Sequence, residues 1–145
     1  MALLEVNFFS KALMRPVTMN VILPADKVFF EEETEEDNKP FKTLYLLHGV
    51  MGNYTDWVTG TCIKRWAEEK NLAVVMPSGA NMFYMDHPNV NENYSEFIGK
   101  ELVKITRKMF PLSHKREGGN RQRSSSGRHH LPASGQDRTA PPCRH

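Results

Sequence analysis

The sequence predicts an α/β fold, and three features of the chain support this class. Two wholly apolar runs, residues 44–47 and 72–76, are typical of strands buried on both faces of a sheet. A segment with helical periodicity lies between them, and a strand–helix–strand order of this kind implies a right-handed parallel crossover. Two strands with alternating apolar and polar side chains precede that unit.

An antiparallel hairpin is predicted at the start of the chain. Residues 3–9 alternate apolar with polar side chains, as a half-buried strand does. Residues 17–23 follow with Val17, Met19 and Val21 on one face, and Pro24 ends the run. The short connection between the two strands favours the hairpin.

The crossover helix is predicted over residues 61–71, with Ile63, Trp66 and Ala67 on its buried side. The acidic block that precedes the first apolar strand, residues 31–39, carries six acids and one base. Such a block resists burial, so it is predicted to be a solvated loop rather than an acidic recognition motif.

A longer helix is predicted over residues 93–110, where the apolar side chains recur at spacings of four, three and four. These side chains are Ile98, Leu102, Ile105 and Met109. Asn93 is expected to cap the first turn, together with Glu96 three residues later, and Pro111 to end the helix.

The charge distribution separates the last 28 residues from the others. Residues 1–117 carry 14 basic and 16 acidic side chains, whereas residues 118–145 carry five Arg and one Asp. The latter segment has no aromatic residue and only four apolar ones, so residues 117–145 are predicted to be a disordered basic tail. Its alternative role, nucleic-acid binding, is disfavoured because no aromatic side chains interleave the arginines.

Composition also excludes several classes of protein. No apolar run approaches the 18 or so residues of a membrane helix, and the amino terminus lacks the pattern of a secretory signal. Two cysteines, Cys62 and Cys143, make no disulfide framework and are expected to be unpaired. No His, Cys and carboxylate side chains have metal-ligand spacing, so neither a metal nor a cofactor is predicted. We expect a cytoplasmic protein.

The most informative segment for chemistry is the turn that follows the first apolar strand, His48-Gly49-Val50-Met51-Gly52. It leaves backbone N–H groups at the carboxyl end of the sheet, where ligands bind in open parallel α/β folds. Two N–H groups aimed at one point stabilise an oxyanion. A tight strand-to-helix turn without a ligand is the alternative.

The order of several motifs resembles the esterase D family of α/β-hydrolases. The motifs are LEVNFFS, PVTMNVILP, TLYLLHGVMGN, LAVVMPSGAN, FYMD and MFP followed by KRE. The family includes S-formylglutathione hydrolases and tributyrin-esterase-like carboxylesterases. The resemblance covers residues 3 to 116 and implies the amino-terminal half of an α/β-hydrolase sheet, so residues 1–116 are assigned as one truncated domain.

The resemblance implies roles for five residues. Val50, with Gly49 beside it, corresponds to the oxyanion-hole donor of the family. His48 belongs to the same turn, and it is assigned with Trp57 and Tyr84 to the substrate pocket. Trp57 matches an aromatic residue that follows the turn, and Tyr84 lies in a stretch that corresponds to a loop near the acyl pocket. Packing roles for Trp57 and Tyr84 are the alternative to substrate contact.

The catalytic triad of the family has no counterpart in this sequence. The family hydrolyses short-chain acyl esters or thioesters with a serine in GxSxG, and a later acid and histidine. No GxSxG occurs here, and residues 124–126 (three serines) follow no apolar strand. We therefore expect no catalytic residue in this chain.

The loss of the family pattern after residue 117 is typical of a shifted reading frame, and genuine divergence is the alternative. Under either explanation we expect the chain to be inactive. Its first parallel strand would have an open edge, where self-association or chaperone binding is expected. Nucleic acid and membranes are not expected partners. A non-catalytic binding or interaction module, using the turn or the open edge, is the alternative function.

Overall fold

The computed structural model describes residues 1–26, 39–87, 89, 92–115 and 119–122, and the side chains of residues 119–122 are not among them. It contains a five-stranded mixed sheet of order β1-β2-β4-β3-β5. The strands are β1 (Ala2–Ser10), β2 (Arg15–Leu23), β3 (Lys42–Leu46), β4 (Leu72–Pro77) and β5 (Gly119–Gln122). The predicted α/β class is confirmed.

The hairpin at the start of the chain is confirmed. β1 and β2 pair antiparallel along their whole lengths, from Ala2 opposite Leu23 to Ser10 opposite Arg15. Val17, Met19 and Val21 are buried, as predicted from their shared face. β2 then pairs antiparallel with β4, which joins the hairpin to the parallel strands.

The predicted crossover is confirmed between β3 and β4, which pair in parallel from Lys42 opposite Leu72. Its helix, α2 (Ile63–Glu69), buries Ile63 and Ala67. Trp66 was expected on the same face, but it is 48% exposed, because it points about 100° round the helix from Ala67, which faces the sheet. A short helix that was not predicted, α1 (Asp56–Gly60), precedes α2.

Cys62 precedes α2 and is disulfide-bonded, so the expectation that it is unpaired is wrong. The other cysteine of the chain, Cys143, lies outside the described residues. The expectation rested on the absence of a Cys pattern, and sequence spacing alone carries no information about which chain segments meet in space.

The long predicted helix is divided into three parts. A single turn, α3 (Tyr94–Glu96), leads into a π-helical turn over Phe97–Glu101, and α4 (Leu102–Met109) follows. The π-helical turn holds one more residue than an α-turn, which rotates the side chains before it relative to those after it. The buried face is therefore rotated from the predicted one, although Ile98 and Ile105 still pack, partly buried, against the hydrophobic core around Leu102.

The buried side chains of this helical segment are Tyr94, Phe97, Leu102 and Thr106. Of the predicted stripe only Leu102 is fully buried, whereas Met109 is 45% exposed. Asn93 makes no side-chain capping bond. The first helical residues are instead capped by Asp86, whose carboxylate accepts hydrogen bonds from the N–H and the hydroxyl of Ser95, at 2.7 and 2.6 Å.

The structure describes four residues of the predicted tail, and they contradict the expectation that β3 has an open edge. β5 pairs in parallel with β3, from Thr43 opposite Gly119 to Leu46 opposite Gln122. The edge of β3 was predicted to be open, and four residues of the segment assigned as disordered cover it instead. Backbone ladder bonds need no apolar side chains, so composition does not forbid this pairing. The prediction of disorder for residues 123–145 and that of an acidic loop over residues 31–38 concern residues outside the described ranges.

Helices on both faces of the sheet form two apolar cores. The larger core joins the hairpin and β4 to the helical segment, with Val21, Val75, Phe97 and Leu102 near its centre. The smaller core packs α2 against the opposite face through Ile22, Ile63, Ala67, Val74 and Met76. β4 is buried on both faces, as its apolar run predicted. In the described ranges, no helix has the length and apolarity that crossing a membrane requires.

Candidate oxyanion site at the carboxyl ends of β3 and β4

Two loops meet at one edge of the sheet because β3 and β4 run in parallel. The first is the turn of residues 48–52 after β3, and the second is the loop of residues 78–86 after β4. The side chains that the sequence singled out lie on these loops, except Trp57, which lies in α1.

His48 is buried beneath the turn and uses both ring nitrogens for backbone contacts. Its Nε2 atom accepts a hydrogen bond from the Gly79 N–H at 2.7 Å. The proton of a neutral ring therefore resides on Nδ1, which donates to the Gly49 carbonyl oxygen at 2.9 Å. With both nitrogens occupied, His48 joins the two loops and has no free lone pair with which to accept a proton from a nucleophile.

The two predicted oxyanion donors are adjacent backbone amides. Neither the Gly49 N–H nor the Val50 N–H has a hydrogen-bond partner within the described ranges. The turn itself is closed by the Gly52 N–H, which donates to the Gly49 carbonyl oxygen at 3.2 Å. The geometry thus leaves two consecutive N–H groups available at the carboxyl edge of the sheet.

Gly52 lets the turn run directly into α1. A Cβ atom at this position would lie 2.1 Å from Oδ2 of Asp56 and 3.2 Å from the Gly49 carbonyl oxygen. The same Asp56 oxygen accepts a hydrogen bond from the Asn53 N–H at 3.0 Å. The absence of a side chain at Gly52 therefore allows the first residue of α1 to fold back onto the turn.

Trp57 lies behind the turn. Its indole N–H donates to the Leu47 carbonyl oxygen at 3.3 Å, and its ring packs against the smaller core. These contacts support the packing interpretation of Trp57: it ties α1 to the end of β3.

Tyr84 packs against the backbone of the second loop. A Cβ atom on Gly79 would lie 2.4 Å from Cζ of Tyr84, so the ring needs a glycine there. The ring centroid of Tyr84 lies 5.5 Å from that of His48 and 6.1 Å from that of Tyr94, which it meets edge-on. Its hydroxyl oxygen is buried without a hydrogen-bond partner among the described residues, and burial raises the pKa of this phenol above its ordinary value.

The second loop contains an unusual series of left-handed residues. Ala80, Asn81, Phe83 and Tyr84 have φ between 46° and 60°, and Met51 in the first turn has φ of 60°. Such residues are strained unless the surrounding structure holds them, and they concentrate at functional sites. Asn81 Oδ1 accepts a hydrogen bond from the Met51 N–H at 2.6 Å, which connects the two strained segments.

Asn81 is the site residue that sequence reasoning missed. The signal for it was weak: asparagine tolerates the left-handed region better than other non-glycine residues, and Asn81 follows a Pro-Ser-Gly-Ala sequence typical of a loop. Its partner lies 30 residues earlier in the chain.

The rim of the two loops is apolar and exposed. Val50 and Met51 from the first turn, and Phe83 and Met85 from the second loop, are all large exposed hydrophobic residues.

The described residues contain no nucleophile–base pair. Within the described ranges no serine hydroxyl is hydrogen-bonded to a histidine, and the three serines at 124–126 lie outside them. The described part of the chain also contains no cluster of three or more His, Cys, Asp or Glu side chains suited to a metal ion.

Comparisons with known proteins identify the family to which this chain belongs. The Esterase family model matches residues 10–127. An acetyl esterase of Caldicellulosiruptor saccharolyticus is 44% identical over 117 residues, which are 81% of this chain and 44% of that protein.

Two solved structures from Staphylococcus aureus are similar to this chain, each at 34% identity over 83% of the chain and 46% of the other protein. One is the fluorophosphonate-binding serine hydrolase FphF with substrate bound, at a TM-score of 0.68. The other is the S-formylglutathione hydrolase FrmB, at a TM-score of 0.64. The chain thus spans less than half the length of these relatives. It has the α/β-hydrolase fold over that part, and it belongs to the Esterase family.

Proposed function

We propose that residues 43–86 supply the oxyanion-stabilising side of a serine carboxylesterase site for short-chain acyl esters or thioesters. The observation that carries this proposal is the pair of consecutive amides, Gly49 and Val50, at the carboxyl edge of the sheet, neither of which has a hydrogen-bond partner among the described residues. Membership of the Esterase family and similarity to an acetyl esterase support the substrate class.

The chemistry of such a site follows from charge development at the carbonyl oxygen. When a nucleophile attacks an ester carbon, the carbonyl oxygen becomes negatively charged in the tetrahedral intermediate. Two fixed N–H donors lower the energy of that charge, because they are oriented before the reaction begins. The exposed apolar rim around Val50 and Met51 would receive the acyl chain.

We further propose that this 145-residue chain alone does not turn over esters. Its sequence has no GxSxG, and His48 uses both ring nitrogens in the backbone contacts described above. Oxyanion donors without an activated nucleophile cannot form an acyl-enzyme.

Ester turnover tests both statements. We expect the purified chain to show neither burst nor steady release of nitrophenol from nitrophenyl acetate, and no covalent labelling by a fluorophosphonate probe. Steady hydrolysis that the probe abolishes would contradict the proposed inactivity, and labelling mapped to a serine would identify the nucleophile.

Acyl binding without turnover is the second candidate function. The exposed apolar rim beside two free amides favours it. It predicts that nitrophenyl butyrate shifts the amide resonances of Gly49 and Val50 saturably, with no product formed. Unchanged resonances at millimolar ester would exclude this function.

A further inference from the structure

We propose that Asn81 is a positioning residue for the oxyanion turn: its side chain holds Met51 in the left-handed conformation and thereby sets the directions of the Gly49 and Val50 amides. This inference rests on the proposed function of those two amides. In this proposal the Asn81 side chain, on the loop after β4, controls the orientation of the two amides in the turn after β3.

The first support is the conformation of Met51. Its φ of 60° is unfavourable for a residue with a side chain, because Cβ then lies too close to the following carbonyl oxygen. The Met51 side chain is 88% exposed, so packing does not hold it in this conformation. Its N–H donates to Asn81 Oδ1 at 2.6 Å, which is a short hydrogen bond.

The second support is the conformation of Asn81 itself. It also has a φ of 60°, and the preceding Ala80 is left-handed too. This backbone path carries the Asn81 side chain back towards the first turn. Asparagine is suited to the position because it tolerates the left-handed region and supplies a side-chain acceptor.

The third support is how directly Met51 is linked to the proposed donors. Met51 follows Val50 in the chain, and the turn containing both is closed by the Gly52 N–H on the Gly49 carbonyl oxygen. If Met51 moves to an ordinary φ, the Gly52 N–H turns away from the Gly49 carbonyl oxygen and the closed turn opens. The peptide units that carry the Gly49 and Val50 amides would then no longer be held in place.

The test compares three variants of the full chain by amide hydrogen exchange and chemical shifts. N81G removes the acceptor while relieving the left-handed strain, and N81D retains an acceptor of the same shape. N7A is the matched control, since Asn7 accepts one hydrogen bond, from Thr18, on the exposed face of the hairpin.

We expect N81G to accelerate exchange of the Met51 amide roughly two- to tenfold, the range for loss of one hydrogen bond. It should also move the resonances of Gly49 and Val50, whose N–H groups make no hydrogen bond to Asn81, whereas N81D and N7A should leave them in place. Faster exchange at Met51 with unmoved Gly49 and Val50 resonances would overturn the proposal, as would no change at all.

Loss of slow amide exchange at Val75 would show that N81G does not fold. In that case a second measurement, made on N81D, tests the proposal. In N81D, protonation of the introduced carboxyl weakens the acceptor. The Gly49 and Val50 resonances should therefore titrate with that carboxyl in N81D and not in the wild type. Their failure to titrate would overturn the proposal. Both readouts are independent of ester turnover, so they remain informative if the proposed function fails.

Discussion

The ring of Tyr84 packs so closely on Gly79 that a Cβ atom there would lie 2.4 Å from Cζ of the ring. The same glycine donates its N–H to His48, which lies under the oxyanion turn. Gly79 therefore serves two contacts at once, and a side chain at this position would displace the ring and with it the end of β4.

Replacing Gly79 tests this contact. We expect G79A to lower the free energy of unfolding by about 1–3 kcal/mol, the usual cost of inserting a methyl group into a filled space. Urea denaturation measures the change. G60A is the matched control, because a Cβ at Gly60 meets nothing within 4 Å. Equal stability of G79A and G60A would mean that Tyr84 moves aside freely.

Replacing Tyr84 by Phe tests the buried hydroxyl. The hydroxyl has no partner among the described residues, so its removal in Y84F should leave stability unchanged or raise it by about 1 kcal/mol. A loss of more than about 1 kcal/mol would show that the hydroxyl makes a stabilising contact in solution.

The same phenol predicts a pH dependence. Burial raises its folded pKa above the ordinary value of 10.0, so the folded state disfavours the phenolate. The stability that this group contributes is fully present below pH 10 and is lost as the pH rises towards the folded pKa. We expect Y84F to lose less stability than the wild type between pH 9 and pH 11 in parallel urea titrations. Identical losses would contradict the prediction.

Replacing Leu102 tests the face selected by the π-helical turn. L102A removes a fully buried side chain and should cost about 2–5 kcal/mol, whereas M109A should cost less than about 0.5 kcal/mol because Met109 is half exposed. Thermal or urea unfolding distinguishes the two. Comparable costs would indicate a regular α-helix with the predicted stripe buried.

Asp86 predicts an acid-sensitive start of the helical segment. The hydroxyl and N–H of Ser95 donate to its carboxylate and hold its pKa below the ordinary value of 3.8. Its contribution is present above that value and is lost as the pH falls through the folded pKa. We expect D86N to show a smaller acid-induced loss of stability than the wild type below about pH 5. E96Q, which removes a neighbouring exposed carboxylate, should retain the wild-type loss.

Most of the strands and helices could be predicted from local patterns. Alternation along β1 and the apolar run of β4 report burial directly, because side-chain direction has a period of two along a strand. The same reasoning was only partly correct for residues 93–110, where Leu102 is buried but Met109 is exposed. A helical stripe assumes a constant 3.6 residues per turn, and the π-helical turn over Phe97–Glu101 breaks that assumption.

Local sequence patterns are sufficient to predict the α/β class, the parallel crossover and the position of the turn at residues 48–52. Each depends on the order and periodicity of neighbouring residues. Three contacts between distant segments emerge only in the folded chain: His48 joins two loops, Asn81 binds Met51, and β5 pairs with β3. These are hydrogen bonds between segments some 30 to 80 residues apart, formed through backbone groups and two side chains, the His48 ring and the Asn81 amide. Every residue carries the same backbone donors and acceptors, so the choice among them is made by the packing that brings two segments together.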